Sequence, residues 1–153
     1  MKKSTIIKDL IEMLSTQLSN VKYIDKDWGQ LGMEQPPVGW PCILIDIEDV
    51  SIRKQSDGNE HAAATVVLTV ANRRTTSSSA HASSSSKEKS MTTIDLTDDI
   101  HNLVQDYAAN GALYSKLKEQ MFYKQNDLPG AEIYVMRYTT SYNVREEMIQ
   151  TPN

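Results

Sequence analysis

Three histidines, one cysteine and scattered carboxylates are the residues of this 153-residue chain that could do chemistry. His61, His81 and His101 stand twenty residues apart, and no two have the HxxxH or HxH spacing that brings imidazoles onto one metal ion. Asp98, Asp99 and His101 are close in sequence, but neighbouring positions on a helix point in different directions, so they do not form a ligand set. Cys42 and His61 could pair as nucleophile and base across a hairpin, yet a lone strand cysteine beside a proline reads as packing. Asp46, Glu48 and Asp49 could attract a cation, and a solvated strand face accounts for them equally well. The serine tract holds no GxSxG elbow, and no glycine loop is arranged to cradle phosphate. No catalytic, cofactor-binding or metal residue is assigned, and no enzyme activity is expected.

Composition narrows the classes further. The length suits one domain, since single cores commonly occupy about 100–200 residues. A formal net charge of -4 argues against a dedicated nucleic-acid binder, which carries positive charge to neutralise phosphates, and leaves room for a local basic patch. A single cysteine excludes an internal disulfide. No apolar run approaches the roughly 18 residues that span a bilayer, and Met1-Lys2-Lys3 leads into an amphipathic segment, so the expectation is a soluble, unexported protein without membrane contact. Seven tyrosines and two tryptophans against one phenylalanine favour aromatic groups with polar handles, which suit interfaces.

The elements that must position these residues are organised around Trp40–Arg74. Two strand-forming runs flank Gln55-Ser56-Asp57-Gly58-Asn59, whose glycine and Asp/Asn tolerate the positive φ that a hairpin turn needs. Ile43, Ile45 and Ile47 alternate with Leu44, Asp46 and Glu48, and Val66, Leu68 and Val70 with Thr65, Val67 and Thr69, which predicts one apolar and one mixed face. Upstream, Ile6, Ile7, Leu10, Ile11, Leu14 and Leu18 form the stripe of a helix that Ser4 can cap. Val21–Lys26 is a short strand, and the glycines and Pro36-Pro37 that follow make an extended connection bracketed by Trp28 and Trp40. These indoles either cover the core edge or anchor an interface.

After the hairpin, residues 75–90 are serine-rich with no large apolar side chain, so they read as a flexible insertion. Together with Arg73 and Arg74 the insertion sets four cations, including Lys87 and Lys89, against Glu88 alone. It is either a solvated linker or a loop that orders against an acidic partner or faces nucleic acid. A second helix is expected over Ile94–Ala109, with Asp95, Asp98 and Asp99 near its start and Asn110-Gly111 as its stop. Leu113–Gln125 carries both helical spacing and the start of a strand. Ala131–Val144 is a long strand with Tyr134, Met136, Tyr138, Thr140, Tyr142 and Val144 on one face. The expected architecture is α+β: an antiparallel sheet of about four strands with a long central hairpin, and two helices packed on one face. Residues 1–148 form a single domain, and 149–153 a frayed tail.

This layout resembles the tail-completion, or tail-terminator, proteins of long-tailed bacteriophages and prophages. The likeness lies in Tyr23-Ile24-Asp25-Lys26-Asp27-Trp28-Gly29-Gln30-Leu31 after the first helix, Trp40–Ile47, Ala64–Val70, and Val135–Tyr142. The resemblance implies a non-enzymatic subunit that assembles as a ring, typically a hexamer, in the virion neck after a period in the host cytoplasm. Its partners would be further copies of itself, the tail tube protein and the head connector, with DNA only as it passes the ring. Ala131–Val144 would be an edge strand available to a neighbour, and Trp28, Trp40, Arg73, Arg74, Lys87, Lys89, Tyr138 and Tyr142 are the candidates for an interface or assembly loop. The alternatives are a head-completion or connector subunit, and a monomeric ligand-binding or enzymatic α+β domain.

Overall fold

The computed structural model describes residues 1–74 and 77–145. The elements run α1 (Lys3–Gln17), β1 (Tyr23–Lys26), β2 (Cys42–Lys54), β3 (Glu60–Arg73), α2 (Ser84–Val104), β4 (Lys118–Gln125) and β5 (Ala131–Asn143), with one 3₁₀ turn at Gln30–Gly32. The expected frayed tail, 149–153, and Thr75-Thr76 of the serine tract lie outside the described residues.

The α+β class holds, but the sheet has five strands in the order β1-β2-β3-β5-β4 and is mixed, because β1 runs parallel to β2. A parallel neighbour cannot be reached by a tight turn and needs a crossover. Asp27–Pro41 provides it, and Leu31, Val38 and Trp40 of this connection pack with Cys42, Ala71 and Ile133. The central hairpin forms as its alternation predicts, with Ile43 opposite Val70 and Ile45 opposite Leu68. Gly58 supplies the positive φ of 83° at its turn, and the Asp57 carboxylate accepts from the Asn59 backbone N–H at 2.9 Å.

Both helices cover one face of the sheet. Ile6, Leu10 and Leu14 of α1 and Leu96, Ile100 and Val104 of α2 pack on Ile43, Ile45, Val66, Leu68, Val70, Met136 and Tyr138. Each fully buried aliphatic side chain of this kind contributes roughly 1.5–3 kcal/mol of transfer free energy. Among the described residues the opposite face is covered by the crossover and by Leu128 of the β4–β5 turn, with no helix.

Three boundaries differ from expectation. Helix α1 begins at Lys3 with no side-chain cap, so Ser4 lies inside it. Helix α2 starts at Ser84 within the serine tract, where the Ser83 side chain accepts from the Ser86 N–H, and it ends at Val104. Asp95, Asp98 and Asp99 therefore lie in its body instead of its first turn. The largest correction concerns β5. This strand is paired on both sides, by β3 and β4, so Ala131–Val144 is an interior strand and the edges are β1 and β4.

Candidate functional site

Three of the four cationic residues around the serine tract line one cleft. At the end of β3 the strand alternation directs Asn72 toward the helices and Arg73 to the opposite face, where its guanidinium lies 5.5 Å from the Trp40 ring centroid. The Arg74 N–H donates to the Gly130 carbonyl at 2.8 Å and so ties the chain to the β4–β5 turn. Helix α2 brings Lys89 alongside, and the Asn72 amide donates to the Thr93 hydroxyl at 3.2 Å, locking helix to strand. Arg73, Arg74 and Lys89 thereby line one cleft of about 230 Å³, together with Asn72, Thr92 and Glu132. Among the described residues none of these three cations makes an ion pair. Lys87 is directed elsewhere, its ammonium donating to the Ala80 carbonyl at 3.0 Å.

The aromatic candidates divide. Trp28 follows the edge strand β1 and is 52% exposed, with its indole N–H 3.4 Å from Asp25. The loop that carries it is held by Gln30, which is fully buried, accepts from the Trp28 N–H at 2.9 Å and donates to the Lys26 carbonyl at 2.9 Å. Trp40 is half-buried in the small cluster beneath the crossover. Tyr138 and Tyr142 are buried under the helices, so they belong to the core and offer no surface to a partner. At the far edge, Met121 and Phe122 on β4 are exposed, and so are Met91 and Ile94 on α2. Ile94 and Phe122 share a groove of about 390 Å³ with Thr97, His101, Glu119 and Met136.

Within that groove His101 makes two contacts that the sequence did not signal. Its Nδ1 lies 2.9 Å from the Tyr138 hydroxyl and also meets the Glu119 carboxylate. Burial, with a further contribution from Glu119, pushes the Tyr138 hydroxyl well above the ordinary tyrosine range, so the phenol keeps its proton. On the opposite face Arg137 reaches across β3 to Glu48 at 3.0 Å and Asp49 at 2.8 Å. The register shift between Glu48 and Ser51 lets two successive carboxylates meet one guanidinium. Arg137 closes one end of a groove of about 380 Å³, floored by Val67, Thr69 and Val135 and walled by Leu31 and Leu128. Two of the three carboxylates first noted as a cation site thus pair with an arginine of the same chain, and the third, Asp46, accepts from the Ile47 N–H at 2.8 Å.

Cys42 is buried, and burial pushes its thiol up to about 12, which leaves almost no thiolate near neutral pH. It pairs with Ala71 at one end of the hairpin while His61 pairs with Arg53 at the other. Ten residues of extended strand, about 33 Å, separate the two positions, so they form no dyad. Among the described residues no three His, Cys, Asp or Glu side chains gather as a metal site.

No family model and no curated protein matches this sequence. Among solved structures, a chain in the virion of a native gene transfer agent particle shares the fold with a TM-score of 0.57. The two are 8% identical, and the match covers 90% of this chain and 91% of that one. At that identity the likeness is one of fold.

Proposed function

We propose that the chain is a structural protein of a phage-like particle and, within it, a tail-completion subunit. It assembles as a ring, caps the tail tube and joins it to the head connector, without catalysis. The observation that carries this reading is the end-to-end fold likeness to a component of a virion, over nine-tenths of both chains. It agrees with the resemblance of the Trp40–Ile47 and Val135–Tyr142 segments to tail-terminator proteins.

The geometry supports ring assembly through surfaces other than the one first expected. The unpaired edges, β1 and β4, lie at opposite ends of the sheet. Each carries exposed apolar side chains nearby, Trp28 and Met33 on one side and Met121 and Phe122 on the other. Two unlike surfaces at opposite ends suit a head-to-tail contact, which closes into a ring when the rotation per subunit allows it. Burying such side chains is favourable at about 25 cal/mol per Å² of apolar surface.

Native mass spectrometry and electron microscopy of the purified chain, alone and mixed with tail tubes, test the reading. A closed ring of about six copies, or its appearance at tube ends, is the expected result. A chain that stays monomeric and leaves tube ends bare overturns it, and attachment to the portal side alone makes it a head-completion subunit instead.

A further inference from the structure

We propose that the cleft formed by Arg73, Arg74 and Lys89 binds the phosphodiester backbone of duplex DNA. The inference stands on the cleft alone, whatever assembly the chain joins. In a chain of net charge -4, most of the surface repels a polyanion, so attraction has to be local. The described ion pairs engage Arg137, Arg145, Lys118 and His101, but not Arg73, Arg74 or Lys89. All three residues line one concavity, with the Arg73 guanidinium on its Trp40 side.

Their scaffold is set before any ligand arrives. Two ties fix it: the Asn72–Thr93 hydrogen bond and the bond from the Arg74 N–H to Gly130. The Arg73 guanidinium carbon lies 5.5 Å from the Trp40 ring centroid, a cation–π contact that uses none of the N–H donors with which arginine forks onto phosphate oxygens. The Ser90 hydroxyl is committed to the Lys87 carbonyl at 2.8 Å, so the donors offered to a ligand are the cations themselves. Glu132 also lines the cleft and receives the Tyr134 hydroxyl at 3.2 Å. Cations that meet only the backbone position DNA without reading its sequence.

The test is fluorescence anisotropy of the full chain with a short labelled duplex across a salt series. Three neutralised phosphates give a slope of log K against log salt of about -2.7 per bound copy. The triple variant Arg73→Gln/Arg74→Gln/Lys89→Gln should lose about tenfold or more in affinity at low salt. The control Arg53→Gln/Lys54→Gln, which removes an exposed basic pair at the hairpin tip, should change affinity less than about twofold. Circular dichroism checks that each variant folds, and light scattering on the same samples reports assembly separately. A triple variant that keeps its assembly and loses DNA supports the cleft, whereas a chain that binds DNA through the cleft but forms no ring counts only against the assembly reading. Unchanged DNA binding in the triple variant, an equal loss in the control, or saturable binding of inorganic phosphate without duplex binding overturns the proposal.

Discussion

The two faces of the sheet are made from the same strands and are closed in different ways. On the helix side, Val66 packs beneath α1 and α2 among side chains that exclude water. One residue along, Val67 turns to the other face, where the cover is the crossover and the β4–β5 turn and a groove opens between them. Regular helices seal a face because their apolar stripes match the pleat over several turns, whereas an irregular segment touches it at a few points. The seam of the loop-covered face is accordingly electrostatic, with Arg137 held by Glu48 and Asp49.

The neighbouring valines give the largest expected effect and the sharpest test of this contrast. Val66→Ala should cost about 2–3 kcal/mol, because it leaves a closed cavity, and Val67→Ala about 1 kcal/mol, because its groove already admits water. Urea unfolding of both variants measures the difference, and equal losses would show that the two faces are sealed alike.

A smaller effect is expected at the electrostatic seam. Arg137→Gln should lower stability by about 0.5–1 kcal/mol at low ionic strength and much less in concentrated salt, since both carboxylates are partly solvated. A loss that salt does not diminish would assign Arg137 a packing role.

The smallest effect lies at the β1 edge of the same face. The Tyr23 hydroxyl donates to Asp25 at 2.7 Å, and this hydrogen bond is the main reason that the carboxyl titrates below its ordinary 3.8. Ionised Asp25 therefore stabilises the fold above the unfolded value, and that contribution fades as the pH falls through the lower folded value. Tyr23→Phe should be slightly less stable than the parent near neutral pH, with the gap narrowing in acid. Urea midpoints across the acid range follow it, and a gap that does not change with pH would separate the hydroxyl from the titration of Asp25.

Much of this was legible in the chain, and the reasons for the remainder are specific. The alternation in Cys42–Lys54, Glu60–Arg73 and Ala131–Asn143 assigned each side chain to its face, because a strand has a fixed period of two. The cluster of Arg73, Arg74 and Lys89 could be suspected from charge alone, but not that Lys87 would turn to Ala80. The apolar periodicity places the start of α2 at Ile94, ten residues late, since Ser84–Lys89 has no such periodicity and is helical through its cap and the helix that follows. The sequence leaves Tyr138 and Tyr142 open as interface candidates, although both are buried, because a strand's alternation says which residues share a face and not which face is covered.

What the sequence determined by itself is therefore local: two amphipathic helices, a hairpin with its turn at Gly58, and the sidedness of every long strand. Tertiary structure alone decided that β1 joins in parallel, that β5 lies inside the sheet, that Arg137 finds Glu48 and Asp49, and that three cations share a cleft. Period and turn chemistry are set by neighbours along the chain, whereas strand order depends on which distant surfaces bury each other best, and no local pattern records that competition.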